Sequence, residues 1–340
     1  MKSKPERIYC TYFDHAYEAR GHLMASSLRA AGDHAPLLVV CFDDESLART
    51  ETWGIDDVIA VGVSEIEQRF PALLKRKAER TRAEYFFTCT PWITAWALTL
   101  TAEGGWATYL DADLMFASNP EPVFDELAHS SVGIIAHRFN PGLEELTRFG
   151  TYNVGWVSFR ADERGRAVLE WWGERCLEWC RDRAIDGRFA DQGYLDSFAD
   201  VAEGVHVIGH PGADVAPWNI GSHTITHTDT NSVLVDEQPL LFFHMHGIRR
   251  VDQRYVCRVS IYHTTANDTV RELILTPYVI DLAAAEAARP ATKSAKRGMR
   301  GFRGFRSRQS IRRAERHLVA GDLSWPANVS RDDTPTSPTP

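Results

Sequence analysis

Asp111 and Asp113 stand two residues apart at the end of an apolar run, Trp-Ala-Thr-Tyr-Leu, over residues 106–110. Side chains at i and i+2 of an extended chain share a face, so both carboxylates point the same way. Two hard oxygen donors on one side suit a divalent cation, which is commonly held by one or two carboxylates together with substrate phosphates. In an open α/β sheet, ligands gather outside the carboxyl ends of the strands, where this pair is expected to lie. The spacing alone carries little weight, because Asp-x-Asp also recurs in turns. The 13 histidines include no His-Glu-x-x-His, and neither Gly-x-x-x-x-Gly-Lys-Ser/Thr nor Gly-x-Ser-x-Gly occurs. That argues against zinc proteases, P-loop nucleotidases and serine hydrolases.

The elements needed to hold such a pair follow from the patterning. Residues 8–13 are β-prone, 16–31 read as an amphipathic helix, and 36–42 enclose the apolar Leu37, Leu38, Val39 and Val40, which together make a βαβ opening. A third strand is predicted over 58–63, a helix over 85–100 and a strand over 106–110. Further strands are predicted at 131–136, 154–159, 205–208 and 240–244, and a helix at 165–183. Strands alternating with helices predict an α/β fold around a mostly parallel sheet. The 340 residues, 44% hydrophobic and 25% charged, suffice for one large domain or two smaller ones. No run approaches the roughly 20 apolar residues of a membrane-spanning helix, and the first residues lead into a strand without an apolar signal core, so a cytoplasmic chain is expected. Six cysteines scattered through such a chain are expected to be reduced. Cys176 and Cys180, one helical turn apart, could share a metal, but Leu169, Trp172 and Leu177 mark an apolar stripe and favour a buried core.

Around the acidic pair the sequence reads Tyr109-Leu110-Asp111-Ala112-Asp113-Leu114-Met115-Phe116, followed by Asn119-Pro120 and Val123-Phe124. This segment resembles the metal-binding segment of the glycogenin-like, family-eight glycosyltransferases, and other matches follow in that family's order. Phe13-Asp14-His15-Ala16-Tyr17 with Gly21 and Ser26-Ser27-Leu28 resembles the opening helix, where the family stacks an aromatic on the uracil of a UDP-sugar. Tyr17 falls on that aromatic, and Thr11 and Tyr12 precede it as further donor-binding candidates. Tyr152-Asn153-Val154-Gly155 resembles the Asn-x-Gly strand entry, and Asp191-Gln192-Gly193 the Asp-Gln segment beside the sugar. Phe243-His244-Met245-His246-Gly247 resembles the closing His-x-x-Gly motif, whose histidine joins the two aspartates on the metal. The resemblance spans roughly residues 8–250. It departs at Thr90-Pro91-Trp92, where the family's lysine is absent, and at Arg250-Val251-Asp252, where the closing Lys-Pro-Trp is not kept.

The resemblance implies a GT-A type fold, a Rossmann-like mixed sheet flanked by helices. It also implies a retaining, metal-dependent transfer from a nucleotide-diphosphate sugar, a UDP-hexose, to a glycan, lipid-linked or small-molecule acceptor. Asp111, Asp113 and His244 would hold Mn2+ or Mg2+, oxygen donors favouring either and imidazole favouring Mn2+. The cation and a nearby arginine, Arg249 or Arg250, would stabilise the departing diphosphate. Asn153, Gly155 and Gly247 would line the donor, with Asp191 and Gln192 as catalytic candidates. Each also has a plain structural reading: Asp191 as a helix cap, His244 and His246 as satisfied strand histidines, Tyr17 as a core aromatic. His223 and His227 read as structural. The alternatives are a sugar-nucleotide or glycan-binding module without turnover, motivated by the unmatched lysine, and a nucleotidyltransferase. The latter would want a glycine-rich phosphate loop, whereas residues 8–21 contain only Gly21. An aspartyl phosphatase would place its Asp-x-Asp near the N-terminus with Thr two residues on, where Met115 stands here.

The domain is expected to span 1–288, a nucleotide-binding half to residue 113 and an acceptor half over 114–288. Residues 289–340 hold 12 Lys and Arg against 4 Asp and Glu, a balance of plus 8, so 1–288 carries minus 16 of the net minus 8. The notable run is 289–316, eleven basic residues to one acidic, Glu315, with Met299, Phe302, Phe305 and Ile311 interleaved. It reads as a basic tail outside the core, with 331–340 disordered. Such a run can sit on the inner face of an anionic membrane, each charge contributing about 1 kcal/mol near the surface. It can also dock on the acidic body or stay solvated, and nucleic acid is not expected as a partner.

Overall fold

A computed structural model describes residues 3–289, 321–329 and 335. The chain opens with β1 (Arg7–Phe13), α1 (Glu18–Ala30), β2 (Leu37–Cys41), α2 (Asp44–Thr50) and β3 (Val58–Gly62). β2, Leu-Leu-Val-Val-Cys, is buried throughout, as a parallel strand covered on both faces must be. Asp43 starts α2 by accepting from the Ser46 N–H at 2.8 Å. After α3 (Val63–Arg69) and α4 (Ala72–Glu79), a Thr81–Glu84 capping box opens α5 (Arg82–Leu100), which leads into β4 (Trp106–Leu110). Next come β5 (Leu114–Phe116), α6 (Glu121–Glu126), β6 (Val132–Ala136), β7 (Tyr152–Arg160), α7 (Glu163–Glu178), α8 (Phe198–Val201) and β8 (Val205–Val207).

The sheet has the order β3-β2-β1-β4-β7-β6-β8. β7 runs antiparallel to both its neighbours, and every other pairing is parallel, so the sheet is mixed with one reversed strand. Period-two alternation splits its side chains between two layers. Ile8, Cys10, Leu38 and Val40 pack with Ile93 and Trp96 of α5 and Trp172 of α7. Tyr9, Phe13, Leu37 and Val39 pack with Met24 and Leu28 of α1. The fold is therefore α/β, a mixed sheet flanked by helices. Because β7 pairs with β4, the segments on either side of Asp113 share one sheet.

The helix predicted over 165–183 begins earlier and ends sooner. Asp162 caps it through the Gly165 N–H at 2.7 Å, and the backbone turns extended at Trp179, so Cys180 lies beyond the helix. Both Cys176 and Cys180 are buried free thiols, and burial pushes the Cys176 thiol well up.

β9 (Ile225–His227), β10 (Val233–Val235) and β11 (Gln238–Pro239) form a small antiparallel sheet, and β12 (Phe242–His244) pairs with β5. β13 (Arg249–Val251) and β14 (Arg254–Cys257) form a hairpin, and α9 (Thr276–Ala287) follows. β15 (Leu323–Pro326) pairs antiparallel with β14. Residues 323–326, within the segment expected to lie outside the core, thus pack on the domain. Trp325 is wholly buried and donates its indole N–H to Thr276 Oγ1 at 3.0 Å, and Leu323 packs in the same cluster. Two apolar side chains two residues apart supply what a strand needs to be drawn onto the domain. The basic run from Lys293 to Arg316, its membrane reading, and residues 331–334 and 336–340 of the segment expected to be disordered lie outside the described residues. Among the described residues no helix is long and apolar enough to cross a membrane.

Candidate metal centre

Asp111 follows β4 directly. Its N–H donates to the Gly155 carbonyl of β7 at 3.0 Å, and its Oδ1 accepts from the Tyr109 hydroxyl at 2.7 Å. The turn from β4 to β5 brings Asp113 alongside, and the Asp113 carbonyl accepts from the Met245 N–H at 2.8 Å. β12 pairs with β5 so that His244 lies opposite Leu114. The imidazole Nε2 is thereby 3.1 Å from Asp113 Oδ1 and 3.6 Å from Asp111 Oδ2. The side chains of Asp111 and Asp113 are 28% and 14% exposed, His244 only 3%. The carboxylates thus face solvent with the histidine behind them.

The electrostatics follow from that packing. At Asp113 burial opposes ionisation, but the His244 ring outweighs it and leaves the carboxyl at about 2. At Asp111 burial prevails over the attraction of His244, with Asp113 adding repulsion, and the carboxyl rises to about 6. Burial would lower His244, yet Asp113 and Asp214 push it well above the usual imidazole range. One donor atom from each of Asp111, Asp113 and His244 lies within 4.8 Å of the others. Two carboxylate oxygens and one imidazole nitrogen, crowded together and open on one side, fit a small divalent cation such as Mn2+ or Mg2+.

Asp14, His15 and Asp43, at the ends of β1 and β2, form a second such group. Its charges are already met. Arg82 lies 2.8 Å from Asp14 and 3.5 Å from Asp43, and His15 Nδ1 is 2.7 Å from Asp43 Oδ2. It is an ion-pair cluster at the rim of the same carboxyl edge.

The other expected residues take distinct places. Asn153 is buried, and its Oδ1 accepts from the Gly155 N–H. A Cβ on Gly155 would stand 2.6 Å from that oxygen and 2.8 Å from His244 Cε1, so only glycine lets β7 pass this close to the ring. Asp191 is buried, and its carboxyl rises to about 7, by burial first and with Thr90 opposing and Asp111 adding to the rise. Gln192 spends both ends of its amide on the backbone, accepting from Val154 N–H at 3.2 Å and donating to the Phe149 carbonyl at 2.8 Å. Tyr17, half-buried at the start of α1, has the Arg20 guanidinium 4.7 Å from its ring centre. Tyr12 shares a 3.1 Å hydrogen bond with Thr90. Gly247 takes φ +81° in the turn from β12 to β13.

Thr11 is wholly buried, its hydroxyl without a hydrogen bond among the described residues. Arg250 extends toward α9, 3.8 Å from Glu286 and over the Tyr255 ring, because successive strand residues point to opposite faces. The charge of Arg249, its neighbour in β13, acts instead on Tyr17, His246 and Tyr262. Asp214, behind His244, was not foreseen, because nothing in its local pattern distinguishes it from a turn residue.

The uncharacterized protein YfnF of Bacillus subtilis (strain 168) is 33% identical over 267 residues, 76% of this chain and 87% of YfnF. This chain belongs to the YfnF family. A second Bacillus subtilis (strain 168) protein, the uncharacterized YfnD, is 28% identical over 262 residues, 76% of this chain and 83% of its own length. No protein-family model matches. A solved structure similar to this member of the YfnF family is galactosyltransferase LgtC in complex with donor and acceptor sugar analogues. It is 17% identical, with 78% of this chain and 100% of that chain covered and a TM-score of 0.47.

Proposed function

We propose that this chain is a metal-dependent glycosyltransferase of the GT-A type, moving a sugar from a nucleotide-diphosphate sugar, a UDP-hexose, to a glycan or lipid-linked acceptor with retention. The observation that carries the reading is the convergence of Asp111 and Asp113 with His244, from a distant strand, at the carboxyl edge of the parallel strands. A divalent cation held there supplies positive charge to the diphosphate that departs as the anomeric bond breaks. Arg249 adds a fixed cation on that side. Tyr17, stiffened by Arg20 stacked on it, offers a face to the base. Asn153 and Asp191 border the sugar, and Gln192 holds the 149–154 backbone that carries Asn153 in place. With its carboxyl near neutrality, Asp191 is suited to hold or release a proton toward the acceptor.

The test is hydrolysis or transfer from a panel of nucleotide sugars with Mn2+, Mg2+ or EDTA, comparing the protein with Asp113→Ala. Donor consumption that requires both metal and Asp113 is expected, and Asp113→Ala turning over at a near-normal rate would remove the site. A second reading, a binding module without turnover, draws on Thr90. Where the resemblance calls for a lysine, a neutral hydroxyl engages Tyr12. That reading predicts metal-dependent nucleotide binding with no donor consumed by any acceptor tried.

A further inference from the structure

Asp214 is wholly buried, its Oδ1 3.3 Å from His244 Nδ1 and its Oδ2 without a hydrogen bond among the described residues. Its backbone takes φ +55°, in the left-handed region. A buried carboxylate with one oxygen unmet is costly, and so is that backbone for a residue other than glycine. The surrounding loop imposes both. Arg138 donates to the carbonyls of His210 at 3.1 Å, Pro211 at 3.4 Å and Ala213. Asn219 donates to the carbonyls of Asp214 at 2.9 Å and His137 at 3.0 Å while accepting from Ala216 N–H at 2.8 Å. The His244 N–H closes the arrangement on the Val215 carbonyl at 2.7 Å. The ring itself is wedged between Gly155, which has no room for a Cβ, and Trp218, whose ring lies in an edge-to-face arrangement with centres 5.0 Å apart.

We propose that Asp214 is a positioning residue. It accepts the Nδ1 hydrogen of His244, fixing the tautomer and ring orientation in which the Nε2 lone pair faces Asp111 and Asp113, and thereby sets the affinity of the centre for a divalent cation. This rests on the metal reading above. A carboxylate behind an imidazole ligand both orients the ring and raises its basicity, and losing such a partner typically weakens metal binding 10- to 100-fold.

The experiment is calorimetric titration of Mn2+, without nucleotide sugar, into the full chain and into Asp214→Ala, Asp214→Asn and Asp113→Ala. Near-UV circular dichroism and metal-free melting establish that each variant is folded. Asp214→Ala should bind Mn2+ about 10- to 100-fold more weakly. Asp214→Asn, which keeps an acceptor but loses the charge, should fall between it and the parent, and carries the test if the alanine variant does not fold. Either folded variant binding at the parent's affinity overturns the proposal. If Asp113→Ala loses Mn2+ while the Asp214 variants keep it, the positioning role alone fails. If the parent binds no Mn2+, or Asp113→Ala binds it unchanged, the metal reading fails and this role with it.

Discussion

At the scale of single residues, His244 is confined by its neighbours. Gly155 permits the close approach of β7, so Gly155→Ala must displace either the ring or the Asn153 amide. The variant should fold, bind Mn2+ at least about tenfold more weakly by calorimetry, and lose donor consumption in parallel. Unchanged affinity would mean the ring can move without consequence. His137 makes a different prediction. Buried, its ring stacked on Phe139 at 4.6 Å, it falls to about 4, mainly by desolvation. A histidine lowered from 6.5 contributes its stability fully above pH 6.5, and that contribution is lost as pH falls from 6.5 toward 4. The loss is about 1.4 kcal/mol per pH unit for this one proton. Urea unfolding of His137→Gln between pH 6.5 and 4.5 should show a slope shallower by about one proton, and an identical slope would place the titration elsewhere.

At the scale of elements, the parallel half of the sheet was legible because its signals are local. β2 is a continuous apolar run, and β1 alternates between the two helical layers. The end of α7 was not, since the apolar stripe of Leu177 and Cys180 continues past the residue where the backbone turns extended. β15 was missed because four apolar-patterned residues sit in a charged, proline-rich context, and only β14 shows what they pair with. Trp325 fills the space between that hairpin and the start of α9. Trp325→Ala should cost about 3–5 kcal/mol and lower the melting temperature markedly. A chain ending at residue 288 should be destabilised similarly. Melting curves indistinguishable from the parent's would show that β15 is an ornament of the fold.

At the scale of the whole molecule, the candidate centre ties β4 and β5 to β12 and the 210–219 loop, segments from distant parts of the chain. A ligand gripping all of them binds only the folded state. Mn2+ at 100 times its dissociation constant should therefore stabilise the protein by about 2.7 kcal/mol. The melting temperature should rise by a few degrees, EDTA should reverse the rise, and Asp113→Ala should show none of it. A parent protein whose melting is indifferent to Mn2+ would not hold a cation at this site.

Local chemistry determined much of what could be read in advance. The apolar runs and capping residues specify the α/β elements and bring Asp-Ala-Asp to the end of β4, but the two carboxylates come together through the turn from β4 to β5 and not through the period of two of an extended strand. Position in space was decided by tertiary structure alone. Arg249 and Arg250 are equivalent as letters, and only the facing of β13 separates the one whose charge acts on Tyr17 from the one against Glu286. Thr11 lies inside because of what covers β1, and Asp214 reaches His244 because Arg138 and Asn219 hold its loop there. Such contacts join residues far apart in the chain, and no periodicity or local preference encodes them before the core has closed.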